Sequence, residues 1–202
     1  SFDLDVLKTY EDYDRQERLA YGLETGNEKK VAMAKRVIEL SQIQELPSEC
    51  PFQPSFRHLC NVLQINDLNI EDAKAYYASD IKNARDERRF MERSACAIHW
   101  LKENAPEEFK FAINKDAIDM PLEESVRTYL DKLVAMCESD WDSIADDKEI
   151  NDKMYEIMHE LELKPADIFA PIYEKLISRQ KGPKLAGFIR TIGKERIIKL
   201  LK

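Results

Sequence analysis

The scarcity of residues that build strands and tight turns constrains the fold of this chain more than any other feature. Its 202 residues include only five Gly, six Val and four Thr. Because β-branched residues favour strands and Gly favours hairpin turns, so few of them disfavour a sheet. No long alternation of apolar and polar residues is present either. The sequence therefore predicts an all-α protein.

Apolar residues recur at helical spacing over most of the chain. Between 126 and 141, for example, seven apolar residues form one broad stripe. Pro165 lies near the first turn of a predicted helix, where proline is tolerated, and Asn69 has the position of an N-cap. The patterns predict helices over 10–23, 27–43, 56–63, 70–103, 126–141, 150–161 and 168–177. The stretch 70–103 is expected to hold two helices or one bent helix.

Two stretches without helical spacing divide the chain. Residues 47–54 contain three prolines, which is typical of a linker, and residues 104–121 are irregular. They predict boundaries near 48 and 120. The expected architecture is a helical hairpin over 1–48 followed by a two-lobed helical bundle, with lobes at 49–120 and 121–202.

Several kinds of site are not indicated by the sequence. No apolar run approaches the roughly 20 residues that cross a membrane, so no membrane contact is expected. The four cysteines form no CxxC pair and the three histidines lack ligand spacing, so we expect no disulfides, no metal and a cytoplasmic location. Without a Gly-rich phosphate loop or a Ser/His/Asp arrangement, we expect neither a cofactor nor catalysis from this chain alone.

Charge is distributed unevenly. The chain has 39 acidic and 31 basic residues, a net charge of −8. Residues 122–163 have 13 acidic and 4 basic side chains, whereas residues 173–202 have 9 basic and 2 acidic ones. Such asymmetry is a hint of nucleic-acid contact. The alternative is two solvated helical faces that help the lobes to dock.

The loop at 181–185 is the first candidate site. The Gly182–Pro183 step is expected to end the preceding helix at Gln180, because the proline ring disfavours helical geometry in the residue before it. The cations in and near this loop are expected to grip a phosphate backbone while its apolar edge meets a base. They are Arg179, Lys181, Lys184 and Arg190. The alternative is an ordinary turn between two helices.

Arg57 and His58 are the second candidate site. Phe56 and Leu59 are expected to face the core, which leaves Arg57 and His58 near the outer face of a helix start. Arginine there would fork onto a base edge or a phosphate. A surface arginine paired with a nearby carboxylate is the alternative.

The charged run at 85–89 is a third feature. Its alternating signs allow ion pairs within one helix, with Glu92 as the counter-charge of Arg88 or Arg89. A solvated structural role is the main interpretation, and Trp100 further along is expected in the core.

Five short segments resemble one family. Segments 13–18 (YDRQER), 54–59 (PSFRHL) and 100–111 (WLKENAPEEFKF) resemble the C-terminal half of class I lysyl-tRNA synthetases. Segments 181–189 (KGPKLAGFI) and 192–196 (IGKER) are similar to the end of those enzymes and of their glutamyl relatives. The two nucleotide-binding signatures of the family, the HIGH-like and KMSKS-like sequences, are missing. The resemblance therefore implies an excised C-terminal portion.

The resemblance implies a cage of helices that holds the anticodon of tRNA(Lys), with 1–48 as a remnant of the stem-contact region. ATP and Mg²⁺ would belong to the catalytic half of the parent ligase. Pro183, Leu185 and Arg57 carry the family positions, and the other candidates follow from charge and position. The predicted tRNA-binding residues are Arg57, His58, Arg179, Lys181, Pro183, Lys184, Leu185 and Arg190. A non-catalytic scaffold that binds a partner helix, and a complete small enzyme, are the alternatives.

Overall fold

The computed structural model describes residues 5–41, 43 and 45–202. Within these residues the chain forms ten α-helices, one short 3₁₀ turn at Trp141–Ser143 and no strand, which confirms the all-α prediction. The helices are α1 Val6–Ala20, α2 Glu28–Ser41, α3 Phe56–Ile65, α4 Ile70–Tyr76, α5 Ala84–Glu103, α6 Glu124–Ser139, α7 Asp147–Glu160, α8 Pro165–Ile177, α9 Leu185–Ile192 and α10 Lys194–Leu201.

The helices group into two compact units. The first unit is Ser1–Asn104 and contains α1 to α5, and the second unit is Ala105–Lys202 and contains α6 to α10. The division into a hairpin at 1–48 and lobes at 49–120 and 121–202 stays a prediction.

Side-chain caps decide where the helices of the first unit begin. Asn69 accepts hydrogen bonds from the amides of Glu71 and Asp72 at 3.0 and 3.4 Å, which confirms the predicted N-cap. Asn83 caps the first turn of α5 in the same way. Two caps in one stretch mean that 70–103 is two helices rather than one bent helix. The predicted hairpin is present as α1 and α2, although its expected end includes Gln42, which lies outside the described residues.

Two ion pairs that are largely out of water join α1 to α5 in the first unit. Arg93 contacts the Asp14 carboxylate through both terminal nitrogens, one of them at 3.0 Å, and Arg89 contacts Glu17 in the same way. The expected pairing of Arg89 with Glu92 along α5 is therefore wrong. Arg89 faces α1 instead, where the carboxylate of Glu17 is out of water and attracts it more strongly than an exposed neighbour would.

The second unit is built around apolar side chains of all five of its helices, α6 to α10. Pro165 occupies the first turn of α8, as predicted. The helix ends at Ile177, three residues before the expected Gln180, because Ser178 adopts a left-handed conformation with φ of 53°. Its amide still bonds to the Glu174 carbonyl at 2.9 Å, which closes the last turn.

Candidate nucleic-acid interface

The loop at 181–185 joins α8 to α9 and packs tightly against α8 at Gly182. A Cβ atom added to Gly182 would lie 2.8 Å from two ring carbons of Tyr173 and 3.0 Å from the Cδ1 atom of Ile177. A side chain at position 182 would fit only if these buried neighbours shifted. The glycine therefore lets the backbone approach the helix closely.

Tyr173 also fixes the next residue of the loop. Its hydroxyl donates a hydrogen bond to the carbonyl oxygen of Pro183. Burial raises the pKa of Tyr173 to about 12, so the hydroxyl keeps its proton near neutral pH and remains a donor. Ring contact at Gly182 and the hydrogen bond at Pro183 together hold the loop in one conformation.

Lys181 and Lys184 lie on either side of this fixed Gly–Pro step. Both are exposed, and neither side chain has an ion pair or hydrogen bond within the described part of the chain. The Lys184 carbonyl accepts the amide of Phe188 at 2.9 Å, so its backbone belongs to the start of α9. The loop therefore presents two unpaired positive charges from a rigid backbone.

The other predicted residues of this region have partners. Leu185 is buried, so its side chain lies in the core below the loop. Arg179 donates to the carbonyl oxygen of Glu107 at 2.7 Å. Arg190 donates to the carbonyl oxygen of Ala145 at 2.9 Å. Contact with tRNA stays a prediction for all of these residues.

Four cations of residues 173–202 pair with carboxylates of the same unit. Three of these pairs join the basic stretch 173–202 to the acidic stretch 122–163. The four pairs are Arg190–Asp147 at 3.6 Å, Lys194–Asp142 at 3.7 Å, Lys199–Asp116 at 2.9 Å and Lys202–Glu138 at 2.7 Å. Lys181 and Lys184 have no such partner among the described residues, so they give the loop a local positive charge.

Arg57 and His58 lie in the first turn of α3, in the first unit. Arg57 is exposed and Phe56 and Leu59 are buried, which confirms the predicted orientation of this turn. His58 is half-buried, and its ring centroid lies 5.5 Å from that of Tyr76. Arg57 and the loop at 181–185 belong to different units.

The two adjacent tyrosines at the end of α4 were missed by the sequence reasoning. Tyr77 is buried among aromatic rings, whereas Tyr76 exposes 42% of its surface. Their ring centroids are 5.0 Å apart. The one signal in the sequence is the Tyr–Tyr pair itself, since neighbours on a helix face different directions.

A polar cleft of about 350 Å³ lies in the first unit, between α5 and the linker before α3. Its charged lining consists of three arginines and three glutamates, so it has no excess of positive charge to attract a polyanion. They are Arg85, Arg88, Arg89, Glu17, Glu45 and Glu92. In the described ranges no cluster of His, Cys, Asp and Glu is suited to a metal, and no helix is long and apolar enough to cross a membrane.

Comparison with known proteins gives close relatives but no matching family model. The chain is 37% identical over 207 residues to the lysine–tRNA ligase of Treponema pallidum, covering 100% of this chain and 38% of that protein. Over 203 residues it is 38% identical to the lysine–tRNA ligase of Borreliella burgdorferi, covering 99% of this chain and 38% of that protein. The lysine–tRNA ligase of Methanosphaera stadtmanae is 30% identical over 209 residues, covering 96% of this chain and 39% of that protein.

These matches make the chain part of a class I aminoacyl-tRNA synthetase, with the all-helical structure expected of such a portion. The chain spans about 38% of the length of the curated relatives it matches. It belongs to the lysyl-tRNA synthetases and corresponds to their C-terminal portion. The family resemblance seen in the five sequence segments is confirmed.

Proposed function

We propose that this chain binds tRNA(Lys) and that the loop at 181–185 contacts the anticodon loop. The observation that supports this most is the state of Lys181 and Lys184, which stay unpaired within the described residues. Four cations further along the chain have carboxylate partners, namely Arg190, Lys194, Lys199 and Lys202. A phosphate group is the natural partner for exposed, unpaired lysines.

The rigid backbone of the loop favours the same interpretation. Anticodon bases are unstacked, and proteins read them by their edges and by stacking. A loop already held by Gly182 and Tyr173 loses little conformational freedom when it binds. The net charge of −8 does not oppose this, because a local positive site is sufficient for a few phosphate contacts.

The remaining candidates have supporting roles in this proposal. Leu185 packs beneath the loop, and Arg179 and Arg190 orient neighbouring backbone through their carbonyl contacts. Arg57 and His58 are proposed to read a base from the first unit. Activation of lysine with ATP and Mg²⁺ is proposed for the remaining length of such ligases, so this chain alone is expected to give no lysine-dependent exchange of pyrophosphate into ATP.

Filter binding of a tRNA(Lys) transcript to charge-reversed variants tests the loop. Lys184→Glu should weaken binding about tenfold and lower the slope of log K against log salt by about 0.7, the value for one single-strand phosphate. Lys202→Glu makes the same charge change at a lysine paired with Glu138, and should change binding less than twofold. Equal losses in both variants would mean that total charge, not the loop, governs binding.

Arg57→Ala tests base reading separately. Removal of a guanidinium from a base edge should relax discrimination against an anticodon-swapped tRNA about tenfold, with little change in the salt slope. Unchanged discrimination would remove Arg57 from the proposed site.

A non-catalytic interaction scaffold is the second candidate function, and one observation favours it. Helix α2 exposes 69% of both Met33 and Leu40, and Val37 lies on the same face at helical spacing. An apolar stripe of this kind suits a partner helix. Binding through it would be nearly independent of salt, unlike binding of tRNA.

A further inference from the structure

Two tyrosines of the chain expose similar fractions of their surface but have different surroundings. Tyr76 at the end of α4 is 42% exposed and Tyr155 on α7 is 45% exposed. Helix α7 has five acidic residues and two lysines, which disfavour an approaching phosphate. Tyr76 instead contacts the rings of His58 and Tyr77 at centroid distances of 5.5 and 5.0 Å.

The buried neighbour of Tyr76 has an unsatisfied hydroxyl. Tyr77 is 5% exposed, and among the described residues its hydroxyl has no hydrogen-bond partner. Burial raises the pKa of Tyr77, so the group is a protonated donor at physiological pH. Buried hydroxyls almost always have a partner, so the Tyr77 hydroxyl is an exception within this cluster of aromatic rings.

A cation lies close to the same cluster. Arg57 is exposed and precedes His58 in the first turn of α3. The ring centroid of His58 lies 5.5 Å from that of Tyr76 and 6.0 Å from that of Tyr77. The first turn of α3 therefore places a positive charge next to a member of the aromatic cluster.

We propose that Tyr76, His58 and Arg57 form a binding site for one unstacked nucleotide of single-stranded RNA. The base stacks on the exposed ring of Tyr76, and Arg57 contacts its phosphate or its edge. An aromatic ring with a nearby cation is the usual combination for this ligand, because every base has a face that stacks. The inference rests on the proposed function, since tRNA is the ligand in both, but it concerns a different unit from the loop at 181–185.

The test is the affinity of tRNA(Lys) for variants at the two exposed tyrosines. Tyr76→Ala should weaken binding about tenfold, the typical loss for one stacked base. Tyr76→Phe keeps the ring and should bind within twofold of the wild type. The matched control, Tyr155→Ala, removes an equally exposed ring and should also bind within twofold.

A second RNA separates stacking from general contact. A blunt duplex with the sequence of the anticodon stem has no unpaired nucleotide, so its weaker binding should not depend on Tyr76. Melting followed by circular dichroism checks that Tyr76→Ala is folded. If Tyr76→Phe loses as much affinity as Tyr76→Ala, or if the duplex is equally affected, stacking on Tyr76 is overturned.

The outcomes also separate the two proposals. Normal binding by Tyr76→Ala together with a loss in Lys184→Glu would overturn the nucleotide site and leave the loop in place. The reverse pattern would overturn the loop and support the nucleotide site. A wild-type chain that does not bind tRNA(Lys) at all would overturn both.

Discussion

The two units of this chain differ in the burial of their ion pairs, because exposed pairs occur in both and the first unit also has largely buried ones. In the first unit, Arg93 and Asp14 expose only 6% and 7% of their side chains, and their ion pair joins α1 to α5. In the second unit, every ion pair within the described residues has at least one side chain exposed by more than a third. Buried pairs fix how two helices are oriented, whereas exposed pairs mainly neutralise a surface.

The largest effect is expected from breaking a buried pair. Arg93→Ala leaves the Asp14 carboxylate buried without its partner, which typically costs about 3–5 kcal/mol. Arg93 also donates to the carbonyl oxygen of Pro54 at 3.1 Å, so the linker before α3 loses a contact as well. Urea unfolding followed by Trp100 fluorescence in a Trp141→Phe background reports on the first unit alone.

A double substitution sharpens that result. Asp14→Leu combined with Arg93→Met replaces both charges by apolar groups, and should recover most of the stability lost in the single variant. If the single variant unfolds at the wild-type urea concentration, the ion pair does not hold α1 to α5.

The second largest effect is expected in the second unit, at Gly182. Gly182→Ala forces a Cβ against the Tyr173 ring at 2.8 Å, and overpacking of this kind costs about 1–3 kcal/mol. The displaced loop should also bind tRNA(Lys) more weakly. Trp141 fluorescence in a Trp100→Phe background measures the stability of this unit.

Gly22→Ala is the counterpart in the first unit. Gly22 has φ of 72° with open space around it, so the alanine meets only the backbone cost of a left-handed residue, about 1 kcal/mol. This variant should leave tRNA binding unchanged. A loss of binding equal to that of Gly182→Ala would show that stability alone, and not the position of the loop, controls binding.

The helices could be predicted from the sequence because their causes are local. Apolar spacing fixed α6 and α8, and the side chain of Asn69 marked the start of α4. The end of α8 was missed by three residues, since the left-handed conformation of Ser178 is not signalled by its residue type.

The pairing of charges could not be predicted, because it depends on residues far apart in the sequence. Asp14 and Arg93 are 79 positions apart, and Glu92 offered a local partner for Arg89 that looked equally suitable. For the same reason the sequence indicated the loop at 181–185 but not that Lys181 and Lys184 would stay unpaired. The exposure of Tyr76 likewise follows from packing around Tyr77.

A small effect is expected from an exposed pair of the second unit. Lys202→Ala removes the contact with Glu138, in which both side chains are largely solvated, and should lower stability by less than about 1 kcal/mol. The difference from wild type should shrink further in 0.5 M NaCl, because salt screens exposed charges. A loss as large as that of Arg93→Ala would contradict the distinction between the two units.

Thiol labelling tests the same comparison without relying on tryptophan. Burial raises the pKa of Cys60 in the first unit to about 12 and that of Cys137 in the second unit to about 11. At pH 8 only a fraction on the order of 10⁻⁴ to 10⁻³ of these thiols is ionised, so both should react with a disulfide reagent only when their unit opens. The exposed Cys96 should react first and serves as the internal reference.

The two destabilising variants should affect different cysteines. Arg93→Ala should accelerate labelling of Cys60 but not of Cys137, and Gly182→Ala should do the opposite, because each lowers the free energy needed to open its own unit. Peptide mapping by mass spectrometry after timed labelling distinguishes the sites. If either variant accelerates the labelling of both cysteines equally, the two units open together. The buried ion pair of the first unit and the packing at Gly182 in the second would then not give the units separate unfolding.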